Sequence, residues 1–154
     1  MAIPKLTTHG YLPAGVHDAT LKDVKSWANG VPDMNRRSAL LRNLDLFLEE
    51  VIRPIGVYPI YLAGSFFSDK YKPGDIDFVL DVRECTDAKA IGMAMVELYA
   101  NHKKNKEKYE IDAYPNVAGN NDFTRFFAYI RPLEIASRGL TPEARRGIVR
   151  ITKW

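Results

Sequence analysis

The sequence predicts an α/β (α+β) fold in which short apolar strands are interleaved with amphipathic helices. Three observations carry this. From Asp75 to Val82 the residues alternate with the two-residue period of a strand, placing Ile76, Phe78, Leu80 and Val82 on one face. Leu40, Leu41, Leu44, Phe47, Leu48 and Val51 recur at three- and four-residue steps, the period of a helix with one buried stripe. The 154 residues, 46% hydrophobic and 27% charged, match one globular domain in size and composition. Residues 1–154 are therefore read as a single domain, with 1–19 as an irregular N-terminal arm punctuated by Gly and Pro.

The elements follow in order. Thr20-Leu-Lys-Asp23 has the form of a capping box and opens a short helix to about Ala28, which residues 29–33 break. The long amphipathic helix runs from about Met34 to Ile52 and ends at Pro54 and Gly56. Val57 to Ala63 reads as a buried strand with Pro59 at its entry, and residues 66–74 as a turn or single helical turn. After the strand at 75–82, Thr86 caps a second amphipathic helix reaching His102. Residues 102–108 read as a solvated polar loop, and Tyr109 to Tyr114 as a third strand. Phe123, Phe126, Phe127 and Ile130 have the spacing of a short helix that packs its aromatics inward. Residues 145–154 alternate as a last strand with one charged face.

Composition excludes several classes. With 22 Lys and Arg against 19 Asp and Glu the net charge is only +3, too small for a general grip on polyanions, so any such contact must be local. The lone Cys85 can form neither an internal disulfide nor a thiolate zinc site, which suits a reducing cytoplasm. The N-terminus lacks a signal-like apolar stretch, and the longest uncharged run, 54–68, is too short and too interrupted to span a bilayer. His9, His17 and His102 lack metal-ligand spacing, and Ser65 and Ser68 lack a recognisable base partner.

Chemistry concentrates in residues 61–81. Side chains two apart on a strand share a face, so Asp75, Asp77 and Asp81 point the same way. Aspartate is depleted in strands and adjacent like charges repel, so the first two invite a cation between them, most naturally a hard divalent ion such as Mg²⁺. The plainer alternative is an amphipathic strand whose polar face meets water. Gly64-Ser65, at the end of the preceding strand, offers a close-approach surface suited to a phosphate, and together the two features describe a site for a metal-bound nucleoside triphosphate. Lys70 and Lys72 lie between them, placed either to touch phosphate or simply to face water.

Gly64-Ser65, nine residues, then Asp75-x-Asp77 followed by apolar residues resembles the signature of the DNA polymerase beta-like nucleotidyltransferase superfamily. The resemblance implies a small mixed β-sheet flanked by helices, two Mg²⁺ ions bound by Asp75 and Asp77, and a third carboxylate on a later strand. Asp112 matches that third position, with Glu110 as its substitute. Gly64, Ser65 and Lys70 would hold the triphosphate. The implied activity is transfer of a nucleoside monophosphate to an acceptor hydroxyl, on a protein, an RNA or a nucleotide, with release of pyrophosphate.

Residues 11–17, Arg36-Arg37, 64–70 and 146–151 extend the likeness to small bacterial and phage nucleotidyltransferase-like proteins over nearly the whole chain. Many catalytic members carry a further helical domain, for which this length leaves little space. The alternative is a non-catalytic regulatory, antitoxin-like or phage binding protein on the same fold. A third reading, a nucleic-acid binder, rests on Arg36, Arg37, Arg145, Arg146 and the lysines of 102–108.

Overall fold

The computed structural model describes residues 3–31 and 33–154; Met1 and Ala2 of the N-terminus and Pro32 of the helix breaker lie outside the described residues. In chain order the elements are β1 (Val16–Asp18), α1 (Leu21–Ala28), α2 (Met34–Phe47), β2 (Ile60–Ala63), β3 (Ile76–Asp81), α3 (Ala88–Ala94), α4 (His102–Tyr109), β4 (Ile111–Asn116), α5 (Phe123–Ala128), α6 (Pro132–Arg138) and β5 (Ile148–Ile151). The helices α2 and α3 continue into wider π-type turns over Leu48–Ile52 and Met95–Ala100. The fold is α+β, as predicted.

The five strands form one mixed sheet in the order β1-β5-β2-β3-β4. β1 runs parallel to β5 and β3 parallel to β4, while β2 is antiparallel to both its neighbours. The parallel β3–β4 pair needs a long crossover, which α3 and α4 supply. β2 lies at the centre and is apolar and buried on both faces. Pro59 stands just before it, where its missing N–H breaks no ladder bond, and its carbonyl accepts the Asp81 N–H at 2.9 Å.

The two faces of the sheet are unequal. One packs against the helices in a large core that includes Leu40, Phe47, Phe78, Leu80, Leu98 and Ile111. Phe47 meets Phe78 edge-on at 5.2 Å between ring centroids. The other carries a small cluster of Tyr61, Ala63, Val79, Phe127 and Ile148, under α5. β3 divides its residues between them by alternation, as predicted, but it spans Ile76–Asp81, so Asp75 and Val82 lie just outside the strand expected over 75–82. The capping box also forms: Thr20 Oγ1 accepts the Asp23 N–H at 3.1 Å, and Asp23 Oδ2 accepts the Thr20 N–H at 2.9 Å.

Several expectations are corrected. The arm over 1–19 is not irregular throughout, because Val16–Asp18 adds a parallel edge strand to β5. Asp87, not Thr86, caps α3, accepting the Lys89 N–H at 3.0 Å. Residues 102–109 are a helix rather than a loop. Tyr109 therefore closes α4, and Glu110, at φ +57°, turns the chain into β4, which begins at Ile111. The last strand is shorter than expected, with Val149 and Ile151 on the large core and Ile148 on the small one. On α5, Phe127 is buried while Phe126 stays 63% exposed, so only part of the aromatic set packs inward. Among the described residues no helix is long and apolar enough to cross a membrane.

Candidate functional site

Strand register assembles the acidic cluster. Asp77 on β3 pairs across β2 with Ala63 and lies beside Asp112 of β4, its partner in the parallel register. Asp75, two residues earlier, shares the face of Asp77. One carboxylate oxygen from each of Asp75, Asp77 and Asp112 lies within 4.8 Å of the others. Carboxylates so close are hard-oxygen donors in the arrangement that suits a small divalent cation.

Gly64 gives this cluster its room. Its backbone sits at φ +92°, which L side chains rarely adopt, and a Cβ there would lie 2.5 Å from Asp77 Oδ2. Ser65 then opens a single 3₁₀ turn, Ser65–Phe67. Arg37, wholly buried, props the segment from below: it donates from Nε to the Phe66 carbonyl at 2.9 Å and from Nη2 to the carbonyls of Ser68 and Lys70 at 2.8 and 3.0 Å. Lys70 is exposed, and its charge helps hold down the Asp75 pKa. Gly64, Ser65 and the Lys70 backbone thus belong to one braced loop beside the carboxylates.

Electrostatics set the Asp75 and Asp77 carboxyls apart from ordinary surface aspartates. Burial first, and then the negative charge of Asp75, pushes the Asp77 carboxyl up to about 7, against the opposing pull of Arg146. The Asp75 carboxyl is also raised, by burial, with Lys106 acting in the other direction and Asp112 adding to the rise. Each of the three has a basic group close by. Lys106 Nζ is 3.6 Å from Asp75 Oδ2, Arg146 Nη2 is 3.7 Å from Asp77 Oδ2, and His102 Nε2 is hydrogen-bonded to Asp112 Oδ1. The first two separations are looser than a hydrogen bond, so those charges balance the carboxylates without capping them.

An aromatic stack extends from this point. The His102 ring lies on Tyr114 at 4.4 Å, and Tyr114 lies on Phe123 at 4.3 Å with planes 7° apart. Phe123 is fixed by Asn116, a buried amide that accepts the Phe123 N–H at 2.9 Å and donates to Asp122 at 3.0 Å.

Not every candidate joins the site. Glu110, the proposed substitute for Asp112, is held in an ion pair with Arg36 at 2.5 Å and a bond from Asn43 at 3.3 Å. The Arg36-Arg37 pair is structural rather than a nucleic-acid contact, since Arg36 also donates to the Pro73 and Gly74 carbonyls. Asp81 is bound by Arg83 at 2.8 Å. His9 and His17 bond to the backbone carbonyls of Arg138 and Pro13, and the Cys85 thiol donates to Tyr58. Sequence reasoning missed His102, Lys106 and Arg146 as neighbours of the carboxylates. The first two lie on a helix that has no apolar stripe to announce it, with only Asn105 and Tyr109 buried.

Fold and site together define an α+β protein with a sheet-borne carboxylate triad beside a glycine-opened loop. The chain belongs to the family of unknown function DUF6932, whose model matches residues 4–152. No curated protein and no solved structure gives a significant match.

Proposed function

We propose that the protein is a Mg²⁺-dependent nucleotidyltransferase that moves a nucleoside monophosphate from a triphosphate to an acceptor hydroxyl. The observation that carries this is the meeting of Asp75, Asp77 and Asp112 within 4.8 Å on the face that Gly64 keeps open. The donor set fits the ions, because the three carboxylates lie close together and two of them, Asp75 and Asp77, have only loose cationic partners, while Asp112 is hydrogen-bonded to His102. Bound there, a pair of divalent cations supplies activation of the acceptor oxygen and neutralisation of the departing pyrophosphate.

The chain's own residues position and exclude. Asp77 faces the reacting phosphate from β3, Asp75 from the position just before that strand, and Asp112 from β4. His102 orients Asp112 through its hydrogen bond. Gly64 lets the phosphates approach Asp77, while Ser65 and Lys70 border the same loop. The acceptor oxygen forms its bond to the α-phosphorus as the bond to pyrophosphate breaks, and the hydroxyl proton is released to water. The single free thiol, Cys85, suits a cytoplasmic protein.

The test is release of pyrophosphate from each common nucleoside triphosphate in Mg²⁺, with candidate acceptors added in turn. Release that requires Mg²⁺ and is lost in Asp112→Asn supports the reading; a protein that binds no triphosphate in Mg²⁺ overturns it. One observation favours a second reading, a non-catalytic nucleotide-binding module: Lys106, Arg146 and His102 already face the three carboxylates one to one. That module would bind the triphosphate and release no pyrophosphate.

A further inference from the structure

Charge is distributed unevenly along this chain. Residues 123–154 carry seven Lys or Arg and two Glu, although the net charge of the whole is only +3. Arg150 is paired with Asp18, Arg138 with Asp69, and Arg146 faces Asp77. Arg125, Arg131 and Arg145 are exposed, and none has an acidic partner among the described residues. Between them lie apolar side chains that the fold leaves in water: Phe126 is 63% and Leu133 82% exposed, and Tyr129 sits under the Arg145 guanidinium at 5.3 Å.

A surface whose guanidinium groups have no acidic partner among the described residues, Arg145 donating only to the Pro142 and Ala144 carbonyls, and whose Phe126 ring is open to water matches a ligand that carries both phosphates and flat, unstacked bases. A duplex hides its base faces, and an acidic polypeptide leaves the rings unused. A groove beside α5 takes in two of these features, Arg125 and Phe126, and is lined also by Asn121, Asp122 and Phe123. The one carboxylate in it already has partners, since Asp122 accepts from Thr124 and Asn116 and faces Arg83.

Packed side chains link the groove to the carboxylate cluster. Its Phe123 wall stacks on Tyr114, Tyr114 on His102, and His102 bonds to Asp112. On the other side Arg146 donates to the Phe127 carbonyl of α5 at 2.8 Å and faces Asp77.

We propose that the face formed by α5, the start of α6 and the segment before β5 docks single-stranded nucleic acid. Arginines 125, 131 and 145 contact the phosphates, and Phe126 and Tyr129 stack on bases. The strand end lies toward the acidic cluster, so its terminal hydroxyl is the acceptor; that last clause rests on the nucleotidyl-transfer reading, and the docking does not.

The test is fluorescence anisotropy of labelled RNA and DNA single strands of about 8–12 nucleotides, within the usual site size for such grooves, titrated with the full chain in chelator and without triphosphate. Running both sugars identifies the source of the strand. Binding should weaken steeply with salt. Arg125→Ala with Arg131→Ala should weaken it about tenfold or more at low salt and lower the logarithmic salt slope by about 1.4, roughly 0.7 for each phosphate contact on a single strand. Phe126→Ala should weaken binding while leaving the slope in place, and Lys22→Ala, on α1, should change nothing. All these positions are exposed, and urea melts confirm that each variant folds.

Equal or tighter binding of a duplex of the same length overturns the proposal. So does equal binding of a polyglutamate peptide, which would assign the face to an acidic protein. Wild-type affinity in the double arginine variant overturns it as well. Because the assay contains neither Mg²⁺ nor triphosphate, failed transfer chemistry leaves the docking result standing, and failed docking leaves Mg²⁺-dependent nucleotide binding untouched.

Discussion

The two faces of the β-sheet are made from the same strands and do different work. On β3 the residues Ile76, Phe78 and Leu80 enter the large helix-covered core, while Asp77, one step out of phase, enters the acidic cluster on the other side. The covered face is apolar, close-packed and sealed by four helices. The opposite face has a core of five buried residues under α5 and carries the buried charge next to it. Folding free energy comes mainly from the first face, which leaves the second able to hold carboxylates that repel one another. Substitutions on the two faces should therefore part company in what they change.

The largest effect should come from Phe78→Ala on the covered face. It removes a fully buried ring that meets Phe47 edge-on, and large-to-small core changes of this kind cost about 3–5 kcal/mol. Urea denaturation should show this loss equally with and without Mg²⁺.

The acidic face should reveal itself through pH. The Asp77 carboxyl keeps its proton up to about pH 7 in the folded protein, but the unfolded chain loses it near 3.8. Between those values the folded state binds the extra proton, so stability falls as pH rises through the window. By linkage this one group contributes up to about 4 kcal/mol to the difference between acid and alkaline ends. Metal-free protein should therefore be more stable to urea at pH 5 than at pH 8, with the slope reduced in Asp77→Asn to the smaller part that the raised Asp75 carboxyl contributes. Glu110 and Asp122, whose pKa values are lowered, lose their contribution only at still more acid pH and do not reverse the trend. Mg²⁺ binding needs the ionised carboxylate, so its affinity should rise over the same window with release of a proton.

Arg37→Met tests the brace that links the two faces. It keeps the side chain long and apolar but strands the buried carbonyls of Phe66, Ser68 and Lys70, at roughly 2–4 kcal/mol. Triphosphate binding should fall with it, because the loop beside Asp77 loses its support. Gly64→Ala should cost less, about 1–2 kcal/mol for a non-glycine residue forced to positive φ. Its effect on Mg²⁺-nucleotide binding should exceed its effect on stability, since the added methyl is aimed at Asp77.

Legibility in the sequence followed the same division. β3 was readable because alternation writes both faces into one strand, and the Thr20 capping box because it is a local four-residue device. The aspartates were readable as a cluster because Asp75 and Asp77 share a strand face, and the alignment with Asp112 came from the family likeness. Elements without a buried stripe were not readable. α4 buries only Asn105 and Tyr109, and α6 buries nothing, so neither has a period to detect. Missing α4 concealed that His102 and Lys106 face the carboxylates. β1 is three residues long and exists only through its pairing with β5. Arg37 misled in another way: a pair of adjacent arginines suggests a surface, and only the fold shows that one of them is buried to hold four backbone carbonyls.

The most direct measurement is on Asp77→Asn, which preserves size and removes one charge. Urea melts in chelator at pH 8 are set beside calorimetric titration of a nucleoside triphosphate in Mg²⁺. If Asp77 is a metal ligand held against repulsion, the variant is as stable as wild type or more so in chelator, and its Mg²⁺-dependent nucleotide affinity falls by about tenfold or more, the loss of about 1.4 kcal/mol. If Asp77 instead serves the fold through Arg146, the variant is clearly less stable in chelator and binds the triphosphate as wild type does, and the metal-site assignment fails.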